Sequence, residues 1–135
     1  MQYLILSDMH GNAEALQAVL RRVRRKRFDV VLVLGDLVGY GAGPNQVVEA
    51  IRDLPGTVFR IRGNHDKAAS GIEDGSSFNY VARLSAQWTH EALTPEYREY
   101  LRMLPQGPKA IDETIEICHG APFDVFLSAD IGYAQ

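Results

Sequence analysis

The stretch Asp29-Val30-Val31-Leu32-Val33-Leu34-Gly35-Asp36 reads as a strand covered on both faces that ends on a carboxylate. Its branched and Leu side chains run without polar alternation, as in a parallel sheet held between other layers. Two further segments share the plan. Residues 2–7 (Gln-Tyr-Leu-Ile-Leu-Ser) form a short buried strand followed by Asp8-Met9-His10-Gly11-Asn12, and residues 57–61 (Thr-Val-Phe-Arg-Ile) form a third strand followed by Gly63-Asn64-His65-Asp66.

The segments between these strands carry helical signals. Asn12 is the N-cap of a helix predicted to run to about Arg27, with Leu16, Val19, Leu20 and Val23 on its inner face. Pro44 opens a second helix that turns Val47, Val48 and Ile51 inward and stops before Pro55-Gly56. Strand, helix, strand, helix, strand predicts an α/β fold with right-handed crossovers and a mainly parallel sheet. The Gly-rich loop through Gly43 is read as a flexible turn in preference to a phosphate cradle.

Farther along, residues 79–93 place Val81, Leu84, Trp88 and Leu93 at helical intervals, so Trp88 is expected to serve the core or helix packing and not ligand binding. Thr94-Pro95-Glu96 supplies an N-cap, an N1 proline and an acidic first turn for a helix to about Leu104. Residues 109–112 and 115–118 read as two short strands joined by a tight turn. Phe123, Val125, Phe126 and Leu127 are apolar enough to be packed, in no assigned geometry.

With 135 residues, the chain is expected to form a single domain over 1–135 that folds without disulfides. No segment approaches the roughly 20 apolar residues that span a bilayer, and the N-terminus lacks a basic start. Cys118 has no partner for an internal disulfide, and a cytoplasmic location follows as the expectation. A net charge of −3 gives no reason to expect specific nucleic-acid binding or attachment to a membrane. The basic run Arg21, Arg22, Arg24, Arg25, Lys26 and Arg27 is read as the solvated side of the first helix, not as a nucleic-acid or phospholipid patch.

The placement of polar residues carries the functional reading. Asp8 and His10 follow the first strand, Asp36 the second, Asn64 and His65 the third, and His119 a later one. Ligands of open α/β sheets bind outside the carboxyl ends of the strands, so distant segments deliver donors to one edge. Carboxylates, imidazoles and an amide without a thiolate set suit Mn, Fe, Ni, Co or Zn in a catalytic site more than a structural zinc cage. Asp36 has lone pairs enough to bridge two cations. Two ions roughly 3.5–4 Å apart can hold a bridging hydroxide and polarise a phosphoryl oxygen.

Asp8-Met9-His10-Gly11-Asn12, Gly35-Asp36, Gly63-Asn64-His65-Asp66 and His119-Gly120 together resemble the calcineurin-like metallophosphoesterase superfamily, and within it the small bacterial phosphodiesterase branch. Leu34 through Gly41, Pro44-Asn45, and Phe78-Asn79 through Trp88-Thr89 support the likeness, which covers about residues 1–122. The resemblance implies a β-sandwich flanked by helices and two divalent ions, with manganese favoured. Asp8 and His10 would hold one ion, Asn64 and His119 the other, and Asp36 would bridge. His65 would stabilise charge on the phosphate or protonate the leaving oxygen, and Asp66 would support the ligands or be structural.

Two departures from the family pattern are visible. The family continues to a Gly-His-x-His segment that this chain lacks, so the expected fold is one with the C-terminal part of the second sheet missing. Unpaired edges of that kind leave a homo-oligomer open. In addition, some relatives carry an Asp at the position of Gly39 to orient the catalytic histidine. The expected function is metal-dependent hydrolysis of a phosphodiester or phosphomonoester. The alternative is an inactive or impaired module of the same fold that serves binding or assembly.

Overall fold

A computed structural model describes residues 1–122; Phe123, Val125, Phe126 and Leu127 lie outside the described residues. The elements run β1 (Tyr3–Leu6), α1 (Ala13–Val23), β2 (Val30–Val33), α2 (Pro44–Arg52), β3 (Thr57–Arg60), α3 (Asn64–Ala69), α4 (Tyr80–Ala92), α5 (Pro95–Met103), β4 (Lys109–Ala110) and β5 (Glu116–Ile117). Strands β1, β2 and β3 form a parallel sheet in that order, and β4 pairs antiparallel with β5.

The register of the parallel sheet sets up the site. Leu6 lies opposite Val33, and Val33 opposite Arg60, so the three strands end level. The loops that leave them therefore start side by side, and residues two to four positions on can meet.

Each face of β2 enters a different core. Val31 and Val33 join Leu16, Leu37, Val47, Val48, Ile51 and Leu101 on the helical side. Val30 and Leu32 join Ile61 and Ile117 on the side of the β4–β5 hairpin. That two-sided burial explains the unbroken apolar run in the sequence. A fully buried side chain such as Ile51 or Val33 contributes roughly 1.5–3 kcal/mol relative to exposure.

Several local signals act as the residue types dictate. Asn12 accepts the Ala15 N–H at 3.1 Å and starts α1, while Thr94 accepts the Tyr97 N–H at 3.2 Å and starts α5. Arg60 donates to the Ile51 carbonyl at 2.9 and 3.1 Å, tying β3 to the end of α2. Asn45 donates to the Ala92 carbonyl at 2.9 Å and accepts from the Thr94 N–H at 3.0 Å, fixing the α4–α5 corner.

The structure corrects four expectations. Residues 2–7 are not a buried strand, since β1 is at the edge of the three-stranded sheet with Ile5 59% exposed, and Val19, expected on the inner face of α1, is 42% exposed. Helix α1 stops at Val23, so Arg24 through Arg27 sit on a turn and not on the sides of a helix that reaches Arg27. Of the two places expected for Trp88, the core and a helix packing surface, the core is excluded. In α4 the buried side is Ala82, Ala86 and Thr89, while Val81 is 67% exposed, Leu84 46% and Trp88 47%. Small side chains let α4 approach α3 closely at Ala68 and Ala69, so size overrides hydrophobicity in choosing the inner face. Of the expected stripe, only Leu93 at the end of α4 is buried.

Candidate metal centre

The loops after β1 and β2 are zipped together by main-chain bonds. Asp8 N–H donates to the Gly35 carbonyl at 3.0 Å, His10 to Asp36 at 2.9 Å, and Gly11 to Leu37 at 2.8 Å. Asp8, His10, Asp36 and Tyr40 all take positive φ, between 46° and 66°. Side chains bearing a Cβ rarely adopt that region, and strain of this sort clusters at functional sites. The β3–α3 loop closes from the other side through Gly63, where an added Cβ would run into the Asp36 carboxylate. His65 N–H then donates to Asp36 Oδ1 at 3.1 Å.

The donors fall into two overlapping sets around Asp36, which is only 4% exposed. Ligand atoms of Asp8, His10 and Asp36 all lie within 4.8 Å of one another. Asp36 Oδ2 is 3.5 Å from His10 Nε2 and 3.4 Å from His119 Nε2, which in turn is 3.1 Å from Asn64 Oδ1. One carboxylate oxygen thus stands between two imidazoles that belong to different groups. Oxygen and imidazole donors of this kind suit divalent first-row cations, so the residues present fit the ions that the sequence implies.

Backbone carbonyls orient both histidines. His10 Nδ1 lies 3.2 Å from the Val38 carbonyl, and His119 Nδ1 lies 2.7 Å from the Leu34 carbonyl. Each ring donates through Nδ1 and points Nε2 at the carboxylates, the arrangement by which outer partners fix a ligand's tautomer. Ser7 also hydrogen-bonds the exposed Asp8 carboxylate.

The charges respond to this crowding. Burial drags the His119 imidazole down, but its hydrogen bond to Asp36 and that group's charge outweigh it and push His119 up to about 9. For Asp36, burial favours the neutral acid, while the hydrogen bond and charge of His119, with His65 and His10, hold it below the ordinary value. His65 is lowered, by burial first and against the pull of Asp36. Asp66 is pushed up to about 7 by burial and by the Asp36 charge, although it accepts N–H bonds from Gly63 at 2.8 Å and Val38 at 3.1 Å.

Each residue singled out in the sequence reaches this edge: Asp8, His10, Asp36, Asn64 and His119 as donors, and His65 beside them, its ring 5.0 Å from that of His10. Asp66 is fully buried and ties the Asp36 loop to the Asn64 loop. Cys118, next to His119, is half-buried just past β5. The sequence did not reveal α3, which begins at Asn64, nor the aromatic surround of His65. Tyr40 lies 4.8 Å and Phe78 4.7 Å from that imidazole, ring centre to ring centre. Among the described residues, His65 Nδ1 is buried without a hydrogen-bond partner, and a Cβ at Gly39 would approach it to 2.7 Å. The Gly-Tyr-Gly triplet at 39–41 was the available signal.

A parallel sheet whose carboxyl edge gathers two donor sets around one carboxylate defines a class of proteins able to hold paired divalent cations. The chain belongs to the calcineurin-like phosphoesterase family, whose model matches residues 1–132. It is 40% identical over 101 residues to an uncharacterised protein of Methanocaldococcus jannaschii, covering 75% of this chain and 41% of that one. It is 32% identical over 80 residues to the symmetrical bis(5'-nucleosyl)-tetraphosphatase of Sodalis glossinidius, covering 58% and 28%. Among solved structures, a metallophosphoesterase from Sphaerobacter thermophilus is 40% identical with a TM-score of 0.72, covering 92% of this chain and 49% of that one. A hypothetical protein from Pyrococcus horikoshii is 28% identical with a TM-score of 0.81, covering 93% and 57%. The chain therefore spans less than two thirds of each of these relatives.

Proposed function

We propose that the chain carries the metal centre of a divalent-metal-dependent phosphoesterase, acting on a phosphodiester or a phosphomonoester. One observation carries the reading: Asp36 Oδ2 stands 3.5 Å from His10 Nε2 and 3.4 Å from His119 Nε2, equally placed for two cations. Asp8 and His10 would hold one ion, Asn64 and His119 the other, and Asp36 both. Such ions, when bound, activate water and offset charge on phosphoryl oxygens.

The chain's own residues do the remaining work. The start of α3 serves Asp36, whose Oδ1 accepts the His65 N–H, and so holds that carboxylate in position for the cations. His65, buried and drawn toward its neutral form, offers a hydrogen bond to the ester oxygen more readily than a proton. Asp66 holds the two loops at a fixed spacing. We favour manganese in the site and a cytoplasmic setting; no helix among the described residues is long and apolar enough to cross a membrane.

A second reading, binding or assembly without turnover, is favoured by the open side of the site, where the Asp8 side chain is 55% exposed. Hydrolysis of bis-p-nitrophenyl phosphate by the wild type and by Asp36→Asn, with and without manganese, separates the two. Turnover that needs both manganese and Asp36 is expected. Saturable manganese binding with no turnover supports the second reading, and turnover that survives Asp36→Asn overturns the first.

A further inference from the structure

Tyr40 is a bulky residue held at φ +66°, where the backbone prefers glycine. Two hydrogen bonds and a missing side chain allow it. Its N–H donates to Ser85 Oγ at 2.6 Å, the following Gly41 N–H donates to the His10 carbonyl at 2.9 Å, and the preceding Gly39 has no Cβ to strike His65. A strained backbone persists only where its surroundings over-determine it. What this one delivers is an aromatic ring beside the metal donors.

The ring centre lies 4.8 Å from that of His65 at a 47° tilt, and 5.3 Å from that of His10 at 60°. Nevertheless 46% of the residue remains exposed. Behind His65, Phe78 completes a wall of rings. Its open surface lies at the rim of the donor set, next to the rings of His10 and His65.

We propose that Tyr40 selects phosphoesters whose alcohol part carries a flat aromatic group, stacking that group at the rim while the phosphoryl oxygens face the cations that Asp36, Asn64 and His119 would hold. The proposal rests on the phosphoesterase reading above and names the substrate class for the same site. Aromatic rings pair in offset or tilted geometry at centroid separations of about 4.5–7 Å, the spacing Tyr40 already keeps with its two histidine neighbours. A saturated ring of equal bulk gains the apolar contact without the stacking. The aromatic group is either a simple aryl ring or a nucleobase.

Equilibrium binding to the full chain loaded with manganese tests this without turnover. The probes are phenyl-, cyclohexyl- and methylphosphonate, and the 5′-methylenephosphonates of adenosine and of ribose. Wild type is expected to prefer phenyl over cyclohexyl by roughly 2- to 10-fold, the range of measured aromatic pairs. Tyr40→Gly suits the backbone at φ +66° and abolishes the preference, whereas Tyr40→Phe keeps it. An equal phenyl-to-cyclohexyl ratio in wild type and Tyr40→Gly overturns the proposal, and so does loss of the ratio in Tyr40→Phe. Preference for the adenosine over the ribose probe assigns nucleobases as the aromatic group; its absence beside a phenyl preference assigns simple aryl esters. If methylphosphonate also fails to bind, the phosphoesterase reading falls and this proposal falls with it. If all probes bind alike, only the role of Tyr40 falls.

Discussion

Replacing Asp66 by Ala should destabilise the metal-free protein strongly at pH 5 and much less at pH 8. In the native fold the carboxyl is fully buried and accepts the Gly63 and Val38 N–H groups. Truncation leaves two buried donors without acceptors, each costing about 1–3 kcal/mol, so about 2–6 kcal/mol together. Opposing this is the cost of burying the charge. Burial and the Asp36 charge raise Asp66 to about 7, from an ordinary value of 3.8. The native state therefore keeps a proton that the unfolded chain has lost between those values, and wild-type stability falls as pH rises through the window. Between pH 5 and pH 7 the loss is on the order of 3 kcal/mol, and it stays constant above. Ala at this position has no such loss, so its deficit relative to wild type shrinks by that amount from pH 5 to pH 8. Urea unfolding of both proteins in chelator at the two pH values measures it. A deficit that is the same at both pH values, or absent at pH 5, would refute the reasoning.

Other perturbations test neighbouring links. In the metal-free site both ring nitrogens of His119 face acceptors, Leu34 O at 2.7 Å and Asn64 Oδ1 at 3.1 Å, and its value is raised to about 9. Its ion pair with Asp36 stabilises the fold fully below the ordinary 6.5 and is lost as pH rises through about 9. Manganese binding at pH 7.5 should accordingly release close to one proton, read from calorimetry in buffers of different ionisation enthalpy; identical heats in all buffers would contradict it. Gly39→Ala puts a Cβ 2.7 Å from His65 Nδ1 at φ +98°, so hydrolysis should fall and stability drop by more than about 1 kcal/mol while manganese affinity holds. Trp88→Ser should change stability by no more than about 0.5 kcal/mol, since the ring is 47% exposed, and iodide should quench Trp88 fluorescence in the folded wild type.

The candidate donors could be picked out in the sequence because each follows a strand that the sequence marks plainly. Asp36 comes directly after a run whose every residue from Val30 to Val33 is buried. The register of the folded sheet, with its strands ending level, then brings Asp8, Asp36 and Asn64 to one edge. The inner face of α4 was not legible in the same way. Val81, Leu84 and Trp88 have helical spacing, but Ala82, Ala86 and Thr89 have it too, and nothing local says which set meets a neighbour. The aromatic surround of His65 was likewise hidden, since Tyr40, His65 and Phe78 come from three separate loops or helix ends.

By itself the amino-acid order determined the alternation of strand and helix, the caps at Asn12 and Thr94, and the residues able to ligate a cation, because these depend on spacing and side-chain chemistry within a few residues. Only the tertiary structure decided that one oxygen of Asp36 stands between His10 and His119, that Asp66 is buried between two loops, and that Tyr40 faces the site. Those facts are distances between residues far apart in sequence, and chain order carries no distances until the sheet and its packed helices fix them.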